Sequence, residues 1–166
     1  YSPVVLITTY EEIDDLDKLT DSILQNDIHS QIESVMLQYR KRRGTPTQCL
    51  YKSPINHCIV SENGLRYEVQ PGVNQNAGLF LDMRPLRYWL SQNSSEKNVL
   101  NLFAYTCSLS VAALSSGARQ VVNVDMSKPS IHWGARNHAL NDQNPHSIKS
   151  VPHNLFRSWG RIKQFG

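Results

Sequence analysis

Residues 99–125 read VLNLFAYTCSLSVAALSSGARQVVNVD, and this stretch decides the fold. Val99-Leu100-Asn101-Leu102-Phe103 is a short apolar run of the kind a buried parallel strand needs. Ala104 to Ser108 are small or hydroxylated apart from Tyr105, which predicts a sharp turn with backbone N–H groups facing a ligand. Leu109, Val111, Ala112, Ala113 and Leu114 supply a helix face, and Gly117 follows where a helix C-cap glycine belongs. Val121 to Val124 is a second apolar strand, ending at Asp125. A carboxylate about 20 residues beyond the first strand–helix turn, at the carboxyl end of the neighbouring strand, suits the hydroxyls of a ribose. The plainer reading is an ordinary strand–helix–strand unit whose Asp125 caps the next helix.

The turn restricts the cofactor. Dinucleotide folds carry G-x-G-x-x-G so that the backbone can approach a pyrophosphate. The turn here, Asn101 to Ser108, contains no glycine, and no P-loop lysine follows it. A cofactor with ribose and adenine but no phosphate fits better, and S-adenosylmethionine is such a cofactor.

Three blocks carry a resemblance to a known family: Glu62-Asn63-Gly64-Leu65, Gly78-Leu79-Phe80-Leu81-Asp82-Met83-Arg84, and Val99 to Ser108. Val124 to Lys128, Asn137 to Asn141 and Leu155 to Arg161 continue it in order. From about Val60 to its last residue the chain resembles the class I methyltransferases of bacterial large-subunit ribosomal RNA, specifically the group containing the cytosine-5 enzyme of 23S rRNA. The resemblance implies an α/β, Rossmann-like methyltransferase core, incomplete at its C-terminus, behind a small helical and β-hairpin region. It further implies S-adenosylmethionine held by Phe80, Asp82, Arg84, Asn101, Phe103, Tyr105, Thr106, Cys107, Ser108, Asp125, Met126, Ser127, Asn154 and Leu155. Two positions depart from the family pattern. Cys107 stands where the turn usually has glycine, so its side chain must point away from the cofactor or crowd its methionine portion. Asn154 stands where the family has Asp, and its carbonyl oxygen can still accept from an adenine amino group. The family's catalytic cysteine and Asp-Pro-Pro loop lie beyond the fourth strand, so the catalytic residues are expected past residue 166 and none is assigned.

The remaining chain sets bounds. Its 166 residues allow one core, or one and a half. No apolar run approaches the roughly 20 residues of a membrane span, and no signal-peptide pattern opens the chain. A start at Tyr1 instead of Met suggests a fragment. Cys49, Cys58 and Cys107 lack C-x-x-C spacing, which favours free thiols in a reducing cytoplasm. The six histidines show no metal-ligand spacing, so no metal site is expected.

Three segments follow from periodicity: a helical region over 1–56, a β-hairpin with a linking helix over 57–97, and the first half of the methyltransferase domain over 98–166. Ile13, Leu16, Leu19 and Ile23 predict one amphipathic helix, and Ile28, Ile32, Val35, Met36 and Tyr39 a second. His57–Glu62 and Leu65–Val69 predict strands turned by Asn63-Gly64. Leu79-Phe80-Leu81 reads as a short strand, and Pro85 as the first turn of a helix. Further helix and strand are expected near 129–140 and 148–151.

Charge is segregated along the chain. Through Glu33 there are eight acidic residues and one basic; from Ser34 onward there are six acidic and sixteen basic. Arg40-Lys41-Arg42-Arg43 is the densest cationic run, with no acid between Ser34 and Ser61. Such a run neutralises phosphates, or it is a solvated helix end. The resemblance favours RNA, with methyl transfer to a base of ribosomal RNA as the function. A non-catalytic nucleic-acid-binding module of the same fold is the alternative, as is a small-molecule or protein methyltransferase. If the run contacts phosphates, replacing all four cations with Ser weakens binding to every RNA by a similar factor. The salt slope then becomes shallower by about three to four units; an unaltered slope in a salt titration would leave only a solvated surface.

Overall fold

The computed structural model describes residues 3–40 and 46–157. They fall into two units, Tyr1–Val60 with Val69–Ala77, and Ser61–Glu68 with Gly78–Gly166.

The first unit contains β1 (Val4–Thr9), α1 (Leu16–Gln25), β2 (Ser34–Tyr39) and β3 (Gln48–Lys52). β2 is central, parallel to β1 and antiparallel to β3. α1 is the crossover between the parallel strands, and the Asp15 carboxylate caps it by accepting from the Lys18 N–H at 2.8 Å. The expected second helix is therefore β2, and the region over 1–56 is not chiefly helical. Val35, Met36 and Leu37 are all fully buried. A strand covered on both faces is a continuous apolar run, and such a run also satisfies three- and four-residue spacing. The periodicity could not separate the two.

β4 (Cys58–Glu62) and β5 (Leu65–Val69) form the expected hairpin, with Asn63 and Gly64 at positive φ of 51° and 78°. The segment Leu79–Leu81 is not a strand. Leu81–Met83 is one turn of 3-10 helix leading into α2 (Arg84–Asn93), with Pro85 in its first turn. The Phe80 carbonyl accepts from the Met83 N–H and from Arg87 Nη1, which takes it out of any ladder.

The rest of the second unit alternates strand and helix: β6 (Asn98–Leu102), α3 (Ser108–Ser115), β7 (Gln120–Val124), α4 (Lys128–Leu140) and β8 (Ile148–Val151). The strands are parallel in the order β6-β7-β8. Val121 packs with Ala113 and Ala118 on one side, while Val122, Val124 and Val151 pack together on the other. These elements follow the sequence reading closely, because both helices and all three strands differ in period and are separated by turn residues.

A polar chain runs through this interior. Asn101 and Asn123 are ladder partners, so their side chains lie side by side. Asn101 Nδ2 donates to Ser110 Oγ at 2.8 Å and to Asn123 Oδ1 at 3.2 Å, and the Ser110 hydroxyl donates to the same oxygen. Asn123 Nδ2 lies 3.3 Å from His138 Nε2, and His138 Nδ1 lies 2.6 Å from Gln143 Oε1. Gln143 Nε2 ends the chain on the Val111 carbonyl at 2.8 Å. With every donor pointing the same way, His138 must be neutral with its proton on Nδ1.

Burial lowers the His138 pKa below its ordinary value, while the Gln143 contact pulls in the opposite direction. The unfolded chain therefore binds this proton more readily than the folded one. The contribution to stability is complete above the unfolded pKa of about 6.5 and is lost as pH falls below it. Thermal melts between pH 8 and pH 5 should show a steeper fall for the natural protein than for His138→Gln. Parallel curves would separate His138 from the acid sensitivity.

Candidate functional site

The carboxyl ends of the three parallel strands, where ligands bind in open α/β sheets, enclose a cleft. Phe103, Val124, Asp125, Met126, His153, Asn154, Leu155 and Phe156 line a volume of about 240 Å³. Whole-ligand pockets usually run from about 300 Å³ upward, so this cleft has room for part of such a ligand. The walls are apolar, and Phe103 and Phe156 place their ring centroids 6.4 Å apart. Asp125 supplies a carboxylate at the end of β7.

Asp125 does more than face the cleft. Its Oδ2 accepts from the Tyr105 N–H at 2.9 Å, and its Oδ1 from the Ser127 N–H at 2.8 Å. One carboxylate thus joins the turn after β6 to the start of α4. Each oxygen keeps a second lone pair for a ribose hydroxyl. Ser127 Oγ in turn caps α4 by accepting from the Ser130 N–H.

The turn itself is strained. Phe103, Tyr105 and Cys107 have positive φ of 54°, 47° and 60°, although none is glycine. Ala104 N–H donates to the Val124 carbonyl, and Asn137 Nδ2 donates to the Thr106 carbonyl at 2.9 Å. The Thr106 hydroxyl donates to the Gly78 carbonyl at 2.5 Å. That last contact brings the Gly78–Arg84 block against the turn, where the Phe80 and Tyr105 rings lie 5.4 Å apart. Gly78 has φ +105°, and a Cβ there would stand 2.3 Å from Trp133 Cζ2. No other residue fits.

Cys107 turns away from the cleft. It is buried with Ala104 and Ile131, and its Sγ occupies the space that a Cβ on Gly134 of α4 would fill. Burial, with the Asp125 charge adding to it, pushes the thiol up to about 12. Such a thiol is not a nucleophile near neutral pH.

The structure thus gathers Phe103, Asp125, Met126, Asn154 and Leu155 around one cleft, with Tyr105, Thr106, Cys107, Ser108 and Ser127 in the turn and cap beside it. Phe80 reaches the turn, whereas Asp82 and Arg84 are exposed and Arg84 Nε lies 3.4 Å from Glu62. Asn101 is different: its amide is spent in the buried polar chain under α3. Asn154 Oδ1 accepts from the Phe156 N–H at 3.0 Å, so the same oxygen shapes the loop. Val124, His153 and Phe156 were not picked out by sequence; their adjacency to Asp125 and to Asn154-Leu155 is the signal that could have found them. Arg40 belongs to the first unit and donates Nη2 to the Gln75 carbonyl at 2.6 Å. Lys41, Arg42 and Arg43 lie outside the described residues. Among the described residues no group of His, Cys, Asp and Glu is arranged to hold a metal, and no helix is long and apolar enough to cross a membrane.

Known proteins are similar to this chain. The S-adenosylmethionine-dependent methyltransferase family matches residues 7–166. The ribosomal RNA large subunit methyltransferase K/L of Hahella chejuensis is 46% identical over 123 residues, covering 74% of this chain and 15% of that protein. Its namesake from Shewanella sediminis is 36% identical over 143 residues, covering 84% of this chain and 20% of that protein. The chain therefore spans a fifth or less of these two relatives. A solved protein from Streptococcus mutans, described as an S-adenosylmethionine-dependent methyltransferase, shares the fold, with TM-score 0.82 and 24% identity over 98% of this chain and 43% of that one.

The Cys107–Gly134 fit gives a direct test. Gly134→Ala alone forces a methyl against Sγ and should cost about 1–3 kcal/mol. In a Cys107→Gly background that clash disappears, and Ala improves on Gly in a helix by about 1 kcal/mol. Denaturant unfolding of the four variants should give a coupling above about 1 kcal/mol. Additive effects would mean that the two residues do not share the space.

Proposed function

The chain belongs to the S-adenosylmethionine-dependent methyltransferase family, and we propose that it forms the cofactor-holding part of an enzyme that methylates a base of ribosomal RNA. One observation carries the reading: an apolar cleft at the carboxyl ends of parallel strands, with the Asp125 carboxylate on its wall. No glycine-rich phosphate turn or P-loop lysine accompanies it. The donor set fits S-adenosylmethionine. Asp125 would take the ribose hydroxyls, Phe103, Met126, Leu155 and Phe156 the adenine faces, and Asn154 the adenine edge. Phe80, Asp82, Arg84 and the turn from Tyr105 to Ser108 would hold the methionine portion.

The bound cofactor supplies an electrophilic methyl group on a sulfonium centre. This chain's own residues bind and orient it: Asp125 and Asn137 keep the strained turn in shape, and Thr106 keeps the Gly78–Arg84 block beside it. Ribosomal RNA as substrate is supported by the names of the similar proteins and by the excess of cations after Ser34. It also agrees with a cytoplasmic location. Methylation at cytosine C5 would need a thiolate to add to the ring. Cys107, buried away from the cleft, does not supply that thiolate, and the proposal is methylation of a base with no ring atom assigned.

Two measurements on the full-length protein test the reading. Labelled S-adenosylmethionine incubated with ribosomal RNA should place label in the RNA; label appearing in protein or small molecules alone would overturn the substrate. Calorimetric titration should show Asp125→Ala losing two charge-assisted hydrogen bonds worth about 1.5–3 kcal/mol each, with Asp125→Asn between it and the natural protein. Equal affinities would remove Asp125 from the site.

A further inference from the structure

We propose that the buried Glu62–Arg87 ion pair is a positioning device for the cofactor site, acting through the backbone carbonyl of Phe80. The proposal rests on the reading that the Phe80–Arg84 segment holds S-adenosylmethionine.

Arg87, on α2, is 1% exposed, and Glu62, at the end of β4, is 7% exposed. Arg87 Nε and Nη2 donate to Glu62 Oε1 and Oε2 at 2.6 and 2.8 Å, a bidentate pair. The guanidinium lies over the Tyr67 ring, 5.8 Å from its centroid. Arg84 Nε approaches the same carboxylate at 3.4 Å.

Stability alone does not explain such a pair. Taking two charges out of water costs several kcal/mol, and well-packed apolar residues of similar volume often do as well or better. A guanidinium has a further capacity that an apolar residue lacks: a third direction in which to donate. Here Nη1 donates to the Phe80 carbonyl at 2.8 Å.

Phe80 opens the segment that needs fixing. Phe80, Leu81 and Met83 are each more than two-fifths exposed, so burial does little to hold them. On the upstream side the Gly78 carbonyl is held by the Thr106 hydroxyl of the cofactor turn. On the downstream side the Phe80 carbonyl is held by Arg87. Between these anchors the Phe80 ring meets Tyr105 of the strained turn, and Tyr105 meets Trp133 with centroids 6.2 Å apart. Glu62 orients the guanidinium, the guanidinium fixes the Phe80 carbonyl, and the carbonyl sets where the Phe80 ring lies against the turn. A lysine could neutralise Glu62 as a point charge, but it lacks the planar fork that reaches both groups.

The test uses the full-length protein, with S-adenosylmethionine as the titrant and melting temperature as the control. Arg87→Lys and the double variant Glu62→Met with Arg87→Met both leave no unpaired buried charge. Both should bind about five- to tenfold more weakly, and the loss should appear in KM for the cofactor more than in kcat. Should the double variant not fold, Arg87→Lys decides alone. In a Phe80→Ala background the Arg87→Lys effect should vanish, because the ring that the anchored carbonyl positions against the turn is gone. Natural affinity in a folded Arg87→Lys protein would overturn the proposal, as would an undiminished effect in the Phe80→Ala background. Failure of the unaltered protein to bind S-adenosylmethionine would instead overturn the proposed function.

Discussion

The Asp125 carboxylate bridges two backbone N–H groups, those of Tyr105 and Ser127, and the site depends on that bridge. The turn after β6 holds three non-glycine residues at positive φ, a conformation that costs of order 1–3 kcal/mol at each. A turn so disfavoured persists only where its surroundings over-determine it. Asp125 restrains it from β7, Asn137 from α4, and Thr106 ties it to the block that begins at Gly78. The restraints come from residues far apart in sequence, so the turn's shape depends on tertiary contacts and not on its local sequence alone.

Legibility followed the kind of signal involved. The strands and helices from Asn98 to Val151 were readable because apolar runs, a helix face and turn residues alternate without ambiguity. The position of Asp125, just past the end of β7, was readable by its distance from the first turn. The role of Asn101 was not: a sequence shows a polar residue in the strand before the turn, but not that Asn123 is its ladder partner. β2 was misread because its consecutive buried residues satisfy either period. The Leu79–Leu81 segment has strand-like composition, yet Arg87 and Met83 use the Phe80 carbonyl, an event local to the fold.

Charge shows the same limit. The cationic excess after Ser34 reads as a surface for phosphates, but counting cannot see pairing. Arg87 is buried on Glu62, Arg136 forms a two-point contact with Glu68, and Arg119 does so with Glu96. Arg40 spends a donor on the Gln75 carbonyl. Pairing leaves that net excess unchanged but decides where it lies, so the contribution to phosphate binding depends on which cations stay uncommitted.

Cys107 and Gly134 illustrate how a local rule can be broken without losing the fold. A glycine in the turn would relieve its left-handed backbone, and an alanine in α4 would favour the helix. The chain has the reverse at both positions, and the thiol fills the groove that the missing methyl leaves. The exchange turns the Cys107 side chain into the helix packing and away from the cleft. Buried polar groups follow a parallel logic. Asn137 accepts from Glu68 and donates to Thr106, while Arg87 joins Glu62 to Phe80. Burying such groups is costly unless they are hydrogen-bonded, and here Asn137 and Arg87 each place a donor on a backbone carbonyl, Thr106 in the turn and Phe80 beside it. The polar interior defines the geometry of the site, while the apolar packing around Val121 and Val124 supplies the burial that lets it persist.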